Sequence, residues 1–256
     1  MTLVKDSWAA LRRYTPARVG LGRTGVSLPT PRHLELQESL ALARDAVYAA
    51  FEPDAIAAEL RARGMEVVEC TSAAQDRNTY LRRPDLGRRL SPSSRTLLES
   101  RKGTSADLAL VVADGLSAEA ARAHSAGLLG ALRDLLPPAT WHLSPVVLVR
   151  QGRVAVGDEI GALLRADAVI VLIGERPGLS SIDSLGAYVT WKPHVGRRDA
   201  ERNCISNIRT GGLSIADAAH SLASLLSAAC ANGRTGVALS QALASGTPPH
   251  TARLER

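Results

Sequence analysis

The sequence predicts an α/β protein: a Rossmann-like domain with a mainly parallel sheet, preceded by a mostly helical N-terminal region. Two observations lead to this fold class. Short, almost wholly apolar runs, as in strands buried on both faces, alternate with helical patterns. Strands that alternate with helices favour parallel pairing through right-handed crossovers. The three runs are residues 107–113 (DLALVVA), 145–150 (PVVLVR) and 168–173 (AVIVLI).

The N-terminal region opens with a glycine-containing segment and continues with helical periodicity. In residues 30–51, leucine, alanine and valine recur at helical spacing. We expect Thr30 as the N-cap of this helix and Pro31 at its first position. A second helix is predicted over residues 54–63, ending at Gly64.

Residues 65–70 (MEVVEC) predict one short strand, and residues 76–90 predict a basic loop. The later elements follow from apolar spacing and from helix-ending residues. They are helices over 117–136, 157–165 and 214–231, with a fourth strand over 187–191. The sequence therefore divides into a helical, partner-contacting region (1–103), a Rossmann-like domain (104–233) and a mobile tail (234–256), where the periodicity fades.

Composition excludes several classes of protein. The chain has 256 residues, 45% of them hydrophobic and 22% charged, so it can bury a sizeable core. No apolar run approaches the roughly 18 residues of a membrane span. The formal net charge is +6, with 31 basic residues of which only Lys5, Lys102 and Lys192 are lysines. Because the arginines are spread along the chain and aromatics make up 3%, we expect no nucleic-acid partner.

The cysteines and histidines predict neither a disulfide framework nor a metal site. Three cysteines lie far apart in the chain, and no C-x-x-C pair exists. The six histidines form no i, i+4 pair. The first residues contain no apolar stretch typical of a secretory signal, so a reduced, cytoplasmic protein is expected.

One glycine motif lacks the flanking strand and helix that a dinucleotide-binding site needs. Gly20, Gly22 and Gly25 match G-x-G-x-x-G, but a dinucleotide fingerprint needs a strand before it and a helix directly after. Arginines precede this motif, and Pro29 and Pro31 follow it. We therefore expect a turn-rich loop and no dinucleotide site.

The loops after the three apolar runs are better candidates. Ligands of open α/β sheets bind beyond the carboxyl ends of the strands, and each of these loops carries glycine, which lets backbone approach a ligand closely. Glu175 follows the third run by one glycine, and it is either a hydrogen-bond acceptor for a polar ligand or an ion-pair partner of Arg176 or another arginine. Asp114 or Ser117 is expected to cap the next helix. Cys204 lies in a polar segment without a nearby histidine and is expected to be a small packed residue.

Several segments resemble one family, the small (light, β) subunit of ethanolamine ammonia-lyase. The similarity runs from about residue 11 to residue 233, and its blocks occur in the family's order. They are residues 17–25 (ARVGLGRTG), 81–90 (LRRPDLGRRL), 112–117 (VADGLS), 173–180 (IGERPGLS) and 204–208 (CISNI), the last followed by Gly211 and Gly212.

The resemblance implies an adenosylcobalamin-dependent lyase that converts ethanolamine to acetaldehyde and ammonia by radical chemistry. It implies that this chain holds the cobalamin against a large, catalytic TIM-barrel subunit, in an assembly of six large and six small chains. The family's cobalamin contacts fall on Val154, Glu175 and Cys204, and no catalytic residue is expected on this chain. The location is left open between the free cytoplasm and a bacterial microcompartment.

Some cobalamin proteins replace the cofactor's own base on cobalt with a histidine from D-x-H-x-x-G. Here His124 and Gly127 supply H-x-x-G, but Arg122 stands where the aspartate is needed, and His124 falls inside a predicted helix. We therefore expect the nucleotide base to stay on cobalt. Two rivals remain: a stand-alone α/β enzyme acting on a nucleotide or small amide, and a basic nucleic-acid-binding module.

Overall fold

A computed structural model describes residues 3–4, 6–101 and 106–245. At the N-terminal end, strands β1 (Leu3–Val4) and β2 (Arg23–Thr24) pair in antiparallel fashion, and helices α1 (Thr30–Tyr48) and α2 (Pro53–Ala62) follow. The remaining elements are β3 (Val67–Thr71), α3 (Arg77–Arg82), α4 (Pro92–Glu99), β4 (Leu108–Ala113), α5 (Ala118–Leu135), β5 (Leu143–Arg150), α6 (Val156–Leu163), β6 (Ala168–Gly174), β7 (Leu185–Trp191), β8 (Arg202–Ile208), α7 (Ile215–Asn232) and α8 (Val237–Ala244).

Strands β3 to β8 form one sheet in the order β3-β5-β4-β6-β7-β8. The first four strands in this order are parallel, and β7 and β8 are antiparallel to their neighbours. This confirms the mainly parallel Rossmann-like fold. The predicted fourth strand, β7, runs antiparallel because no helix lies between β6 and β7 to carry the chain back across the sheet.

Helices cover both faces of the sheet. Helices α2, α5 and α7 pack on one face, against Leu108, Leu110 and Val112 of β4. Helices α4 and α6 pack on the other, against the alternate residues of the same strand. Every residue of β4 and β6 is buried, which is why these strands are apolar throughout.

Helix ends follow the expected signals in most places. The hydroxyl of Ser117 caps α5 and that of Ser214 caps α7, while Gly233 ends α7 in the left-handed conformation. Thr30 is not the N-cap of α1: Pro29 occupies that position and Thr30 is the first helical residue.

Three segments differ from expectation. The predicted basic loop over 76–90 contains α3, capped by Asp76. The polar segment expected around Cys204 is strand β8, at the edge of the sheet. The predicted tail contains α8, whose Leu239 is buried in the core, and residues 246–256 lie outside the described residues.

The N-terminal region contributes to the sheet as well as preceding it. Strand β3 is an edge strand, and Ile56, Ala57 and Leu60 of α2 belong to the core. Helix α1, by contrast, has Ala46 as its one buried residue. The division at residues 103 and 104 stays a prediction. No helix in the described ranges is long and apolar enough to cross a membrane.

Candidate functional site

The carboxyl ends of β4, β5 and β6 meet at one edge of the sheet. Ala113, the last residue of β4, pairs with Val149 of β5 on one side and with Ile173 of β6 on the other. The loops that begin at Asp114, Gln151 and Gly174 therefore lie side by side. The connections after β4 and β5 leave to opposite faces of the sheet, which is where an open α/β sheet forms its ligand crevice.

Asp114 spans this crevice. Its carboxylate accepts hydrogen bonds from the backbone N–H groups of Gln151 and Gly152, both at 3.0 Å, and lies 3.6 Å from Arg77 Nη1. Burial raises the pKa of Asp114 to about 6, against the lowering effect of these partners. Of the two capping candidates only Ser117 caps the helix. Asp114 instead fixes the loop that carries Val154.

Arg77 connects helices α1 and α3 to the loops at the ends of β4 and β5. Its guanidinium donates to the carbonyl oxygens of Val47 and Gly115 and to the side chain of Gln151. It also lies 4.8 Å from the ring centre of Tyr80. The end of α1, helix α3 and the two strand-end loops are thereby held as one unit.

Gly174 is required by the packing of these loops against each other. A Cβ atom there would collide with the backbone of Asp114 and Ser117. Gly115 has φ +57° and a Cβ atom on it would meet the Gly174 carbonyl oxygen. The sequence suggested that the glycine before Glu175 lets a ligand approach the backbone. In the structure Gly174 instead lets the backbone of Asp114 and Ser117 pack closely against it.

Glu175 is held by neutral partners. Its Oε2 accepts from the Ser184 hydroxyl at 2.5 Å and from the Asn207 backbone N–H at 3.3 Å. Within the described residues Glu175 forms no ion pair with Arg176 or another arginine, and its Oε1 accepts no hydrogen bond. The carboxylate is thus fixed by one oxygen and presents the other as an acceptor.

Val154 and Cys204 line one cleft, although 50 positions separate them in the sequence. We call it the β8 cleft; its volume is about 260 Å³. Its lining includes Arg88, Arg153, Val154, Tyr188, Asp199, Arg202 and Cys204.

Glu175 lies beside the β8 cleft, next to Gly186. A Cβ atom on Gly186 would be 2.9 Å from Glu175 Oε1 and 3.2 Å from Tyr188 Cε2, so Glu175 and Tyr188 flank the same small residue. The structure therefore brings the three predicted contact residues to one region.

Cys204 is exposed, which makes the expectation of a packed residue wrong. It sits on β8 opposite Tyr188 of β7, and its Sγ lies 3.2 Å from the Ser206 hydroxyl. An edge strand with alternating exposed positions presents this thiol to the β8 cleft. Burial raises the pKa of the Tyr188 hydroxyl, and the Cys204 thiol raises it further, so Tyr188 remains a hydrogen-bond donor at neutral pH.

Sequence reasoning missed Tyr188, Arg202 and the arginines of the cleft. Arg202 forms a buried, bidentate ion pair with Asp158 at the start of α6, with contacts of 2.5 and 2.7 Å. It anchors the first residue of β8 beside Val154. Tyr188 could have been proposed as a site residue, because it is an aromatic residue within the predicted strand 187–191. No local sequence pattern indicates that Arg202 pairs with Asp158.

Comparison with known proteins shows the family of the chain. Residues 5–240 match the family described as ethanolamine ammonia-lyase light chain (EutC). An ethanolamine ammonia-lyase small subunit from Azotobacter vinelandii is 55% identical over 238 residues, 92% of this chain and 88% of the relative. One from Xanthomonas campestris pv. campestris (strain B100) is 56% identical over the same shares. One from Pseudomonas syringae pv. tomato is 54% identical over 91% of this chain and 83% of its own. The chain therefore belongs to the ethanolamine ammonia-lyase light chain family.

Proposed function

We propose that this chain is the small subunit of an adenosylcobalamin-dependent ethanolamine ammonia-lyase, which converts ethanolamine to acetaldehyde and ammonia. In this proposal the chain holds the cobalamin at its interface with a large, catalytic TIM-barrel subunit. The observation that carries it is the gathering of Val154, Glu175 and Cys204 around the β8 cleft. These are the three positions to which the family resemblance assigns cobalamin contacts.

The residues at the cleft fit a corrin, whose rim carries amide side chains. Glu175 Oε1 is an acceptor without a described partner, and its orientation is fixed through Oε2. Tyr188 supplies a hydroxyl donor, and Val154 supplies half-buried apolar surface. A rigid acceptor, a donor and an apolar wall are what an amide-rimmed macrocycle needs for orientation.

When bound, the cofactor supplies the radical chemistry through its cobalt–carbon bond, and this chain supplies binding and orientation. Glu175 accepts a hydrogen bond from a corrin amide, and the Ser184 hydroxyl keeps the carboxylate in place. Val154 packs on the macrocycle and keeps water from that side. Asp114 acts as a positioning residue, because it fixes the loop of Val154 without lining the cleft.

We propose that the chain is active only together with the large subunit, in an assembly of six large and six small chains. The described residues around the cleft include no nucleophile and base pair of the kind a stand-alone α/β enzyme would use. Exposed apolar side chains in the N-terminal region support burial against a partner. They include Trp8, Tyr14, Leu34, Leu40 and Tyr48.

We also propose that the nucleotide base stays on cobalt. His124 lies on α5 with its Nε2 3.4 Å from Asp183 Oδ2, and it does not line the β8 cleft. Electron paramagnetic resonance of the cob(II)alamin state tests this, because coupling to a histidine nitrogen of the protein would contradict it. For the location we propose the cytoplasm, either free or within a bacterial microcompartment.

The decisive experiment is acetaldehyde release from ethanolamine and adenosylcobalamin by the chain co-purified with its cognate large subunit. Each chain alone is the control. We expect activity only from the pair. Activity of this chain alone would support a stand-alone enzyme, and steep salt-dependent binding of DNA would support the nucleic-acid module. Failure of the two chains to co-purify would refute the subunit role.

A further inference from the structure

The β8 cleft carries more positive than negative charge. Three arginines and one aspartate, Asp199, line it. Arg202 is neutralised from behind by the buried Asp158. The guanidinium groups of Arg88 and Arg153 form no ion pair with a carboxylate in the described part of the chain. Two cations without counter-ions thus line the β8 cleft.

Arg153 is held in a fixed position. Its guanidinium lies 4.1 Å from the ring centre of Tyr80 and donates to the Tyr80 carbonyl oxygen at 3.3 Å. Its Nε is buried without a hydrogen-bond partner. A stacked, immobile guanidinium loses little conformational entropy when it binds an anion, so this residue is preorganised.

A backbone contact between Gly87 and Arg153 places Arg88 near Arg153. The Arg153 N–H donates to the Gly87 carbonyl oxygen at 2.7 Å, and a Cβ atom on Gly87 would lie 2.8 Å from Arg153 Cγ. The close contact at Gly87 fixes the two segments against each other. Arg88 itself is exposed, and its side chain has no hydrogen bond within the described residues. The backbone N–H groups of Val154 and Ala155 are likewise without partners there.

We propose that Arg88 and Arg153 form an anion subsite that accepts the phosphodiester of the cobalamin nucleotide loop. This inference rests on the function proposed above. The phosphodiester is the anionic group of adenosylcobalamin, since the corrin side chains are amides and the adenosyl group is neutral. Arginine binds phosphate oxygens through paired N–H donors, and free backbone N–H groups add to such a site.

The test compares two ligands on the complex of this chain with its large subunit. Adenosylcobinamide keeps the corrin and its amides but lacks the nucleotide and its phosphodiester. Binding of each is followed by visible absorbance. The variant is Arg88→Gln, and the matched control is Arg89→Gln, because Arg89 is the exposed neighbour that does not line the cleft.

We expect Arg88→Gln to weaken the binding of adenosylcobalamin about tenfold or more, as for the loss of a charge-assisted hydrogen bond. The binding of adenosylcobinamide should weaken less than twofold. Arg88→Lys should recover part of the loss, and Arg89→Gln should change neither affinity. Inorganic phosphate should compete with adenosylcobalamin in the unmodified complex.

Equal weakening of both ligands by Arg88→Gln, or no weakening, would overturn the subsite while leaving the proposed function standing. If phosphate binding depends on Arg88 but adenosylcobalamin affinity does not, free phosphate is the occupant and the inference is wrong. If the unmodified complex binds neither corrinoid, the proposed function itself fails, and the subsite fails with it.

Discussion

The carboxylate of Asp114 at the end of β4 holds the backbone of Gly152 at the end of β5, with Oδ1 3.0 Å from the Gly152 nitrogen. Oδ2 accepts the neighbouring N–H of Gln151 at the same distance. The crevice between these strands is thus closed by the chain's own side chain. Val154 follows two residues later, so the position of a proposed cofactor contact depends on a buried acid that does not line the cleft.

Replacing Asp114 by alanine should destabilise the protein by roughly 3 kcal/mol, because the N–H groups of Gln151 and Gly152 lose their acceptor and Arg77 loses an ion-pair partner. Urea unfolding of the purified chain measures this. Asp134→Ala is the control, since Asp134 is 70% exposed and paired only at the surface, and it should cost less than about 0.5 kcal/mol. A loss for Asp114→Ala no larger than for Asp134→Ala would contradict the structural role.

The same carboxylate should make stability depend on pH. Burial raises the pKa of Asp114 from 3.8 to about 6, so between these values the folded state binds a proton that the unfolded state has released. The contribution of Asp114 to the free energy of unfolding therefore falls as pH rises from about 4 to about 6, by roughly 2 to 3 kcal/mol. Asp114→Asn cannot ionise, so the difference between the unmodified protein and this variant should change across that window. A pH-independent difference would show that the pKa is not raised.

The sequence predicted the centre of the sheet and its β3 edge better than its β8 edge. Strands β4, β5 and β6 were recognisable because burial on both faces makes them apolar. Strand β8 (RNCISNI) was not, because an edge strand with exposed Cys204 and Ser206 reads as a polar loop. The proximity of Val154 and Cys204 depends on the antiparallel return of β7 and β8. The ion pair of Arg202 with Asp158 joins residues 44 positions apart, and no local pattern specifies it.

Gly174→Ala should be strongly destabilising, because the new methyl group would collide with the backbone of Asp114 and Ser117, which cannot rotate away. We expect a loss of about 3 kcal/mol or failure to fold. Gly178→Ala in the same loop is the matched control, since its Cβ atom would meet Ser181 O at an ordinary 3.4 Å. Thermal unfolding of both variants decides the point: similar melting temperatures would mean that the loops do not pack as described.

Glu175→Ala should weaken cobalamin binding to the complex about tenfold without unfolding the chain, because the free acceptor Oε1 is lost while the half-exposed site tolerates a smaller side chain. The measurement is an absorbance titration with adenosylcobalamin, accompanied by circular dichroism to show that the fold is kept. Glu38→Ala, an exposed carboxylate on α1, is the control and should leave affinity unchanged. Unchanged affinity in Glu175→Ala would remove this residue from the proposed site.

Arg202 and Asp158 should behave as a coupled pair. Both side chains are at least 97% buried. Arg202→Met leaves Asp158 without its ion-pair partner, and Asp158→Leu leaves Arg202 with only the exposed Asp199 at 3.6 Å, so each single variant should cost about 3 to 5 kcal/mol. The double variant removes both charges and should cost clearly less than the sum of the single variants, by about 2 kcal/mol or more. Urea unfolding of all four proteins gives the coupling free energy. Because Arg202 is the first residue of β8 and Asp158 lies in the first turn of α6, the single variants should also loosen the β8 cleft. The double variant should recover part of the cobalamin affinity. Additive losses would show that the two side chains do not share one interaction.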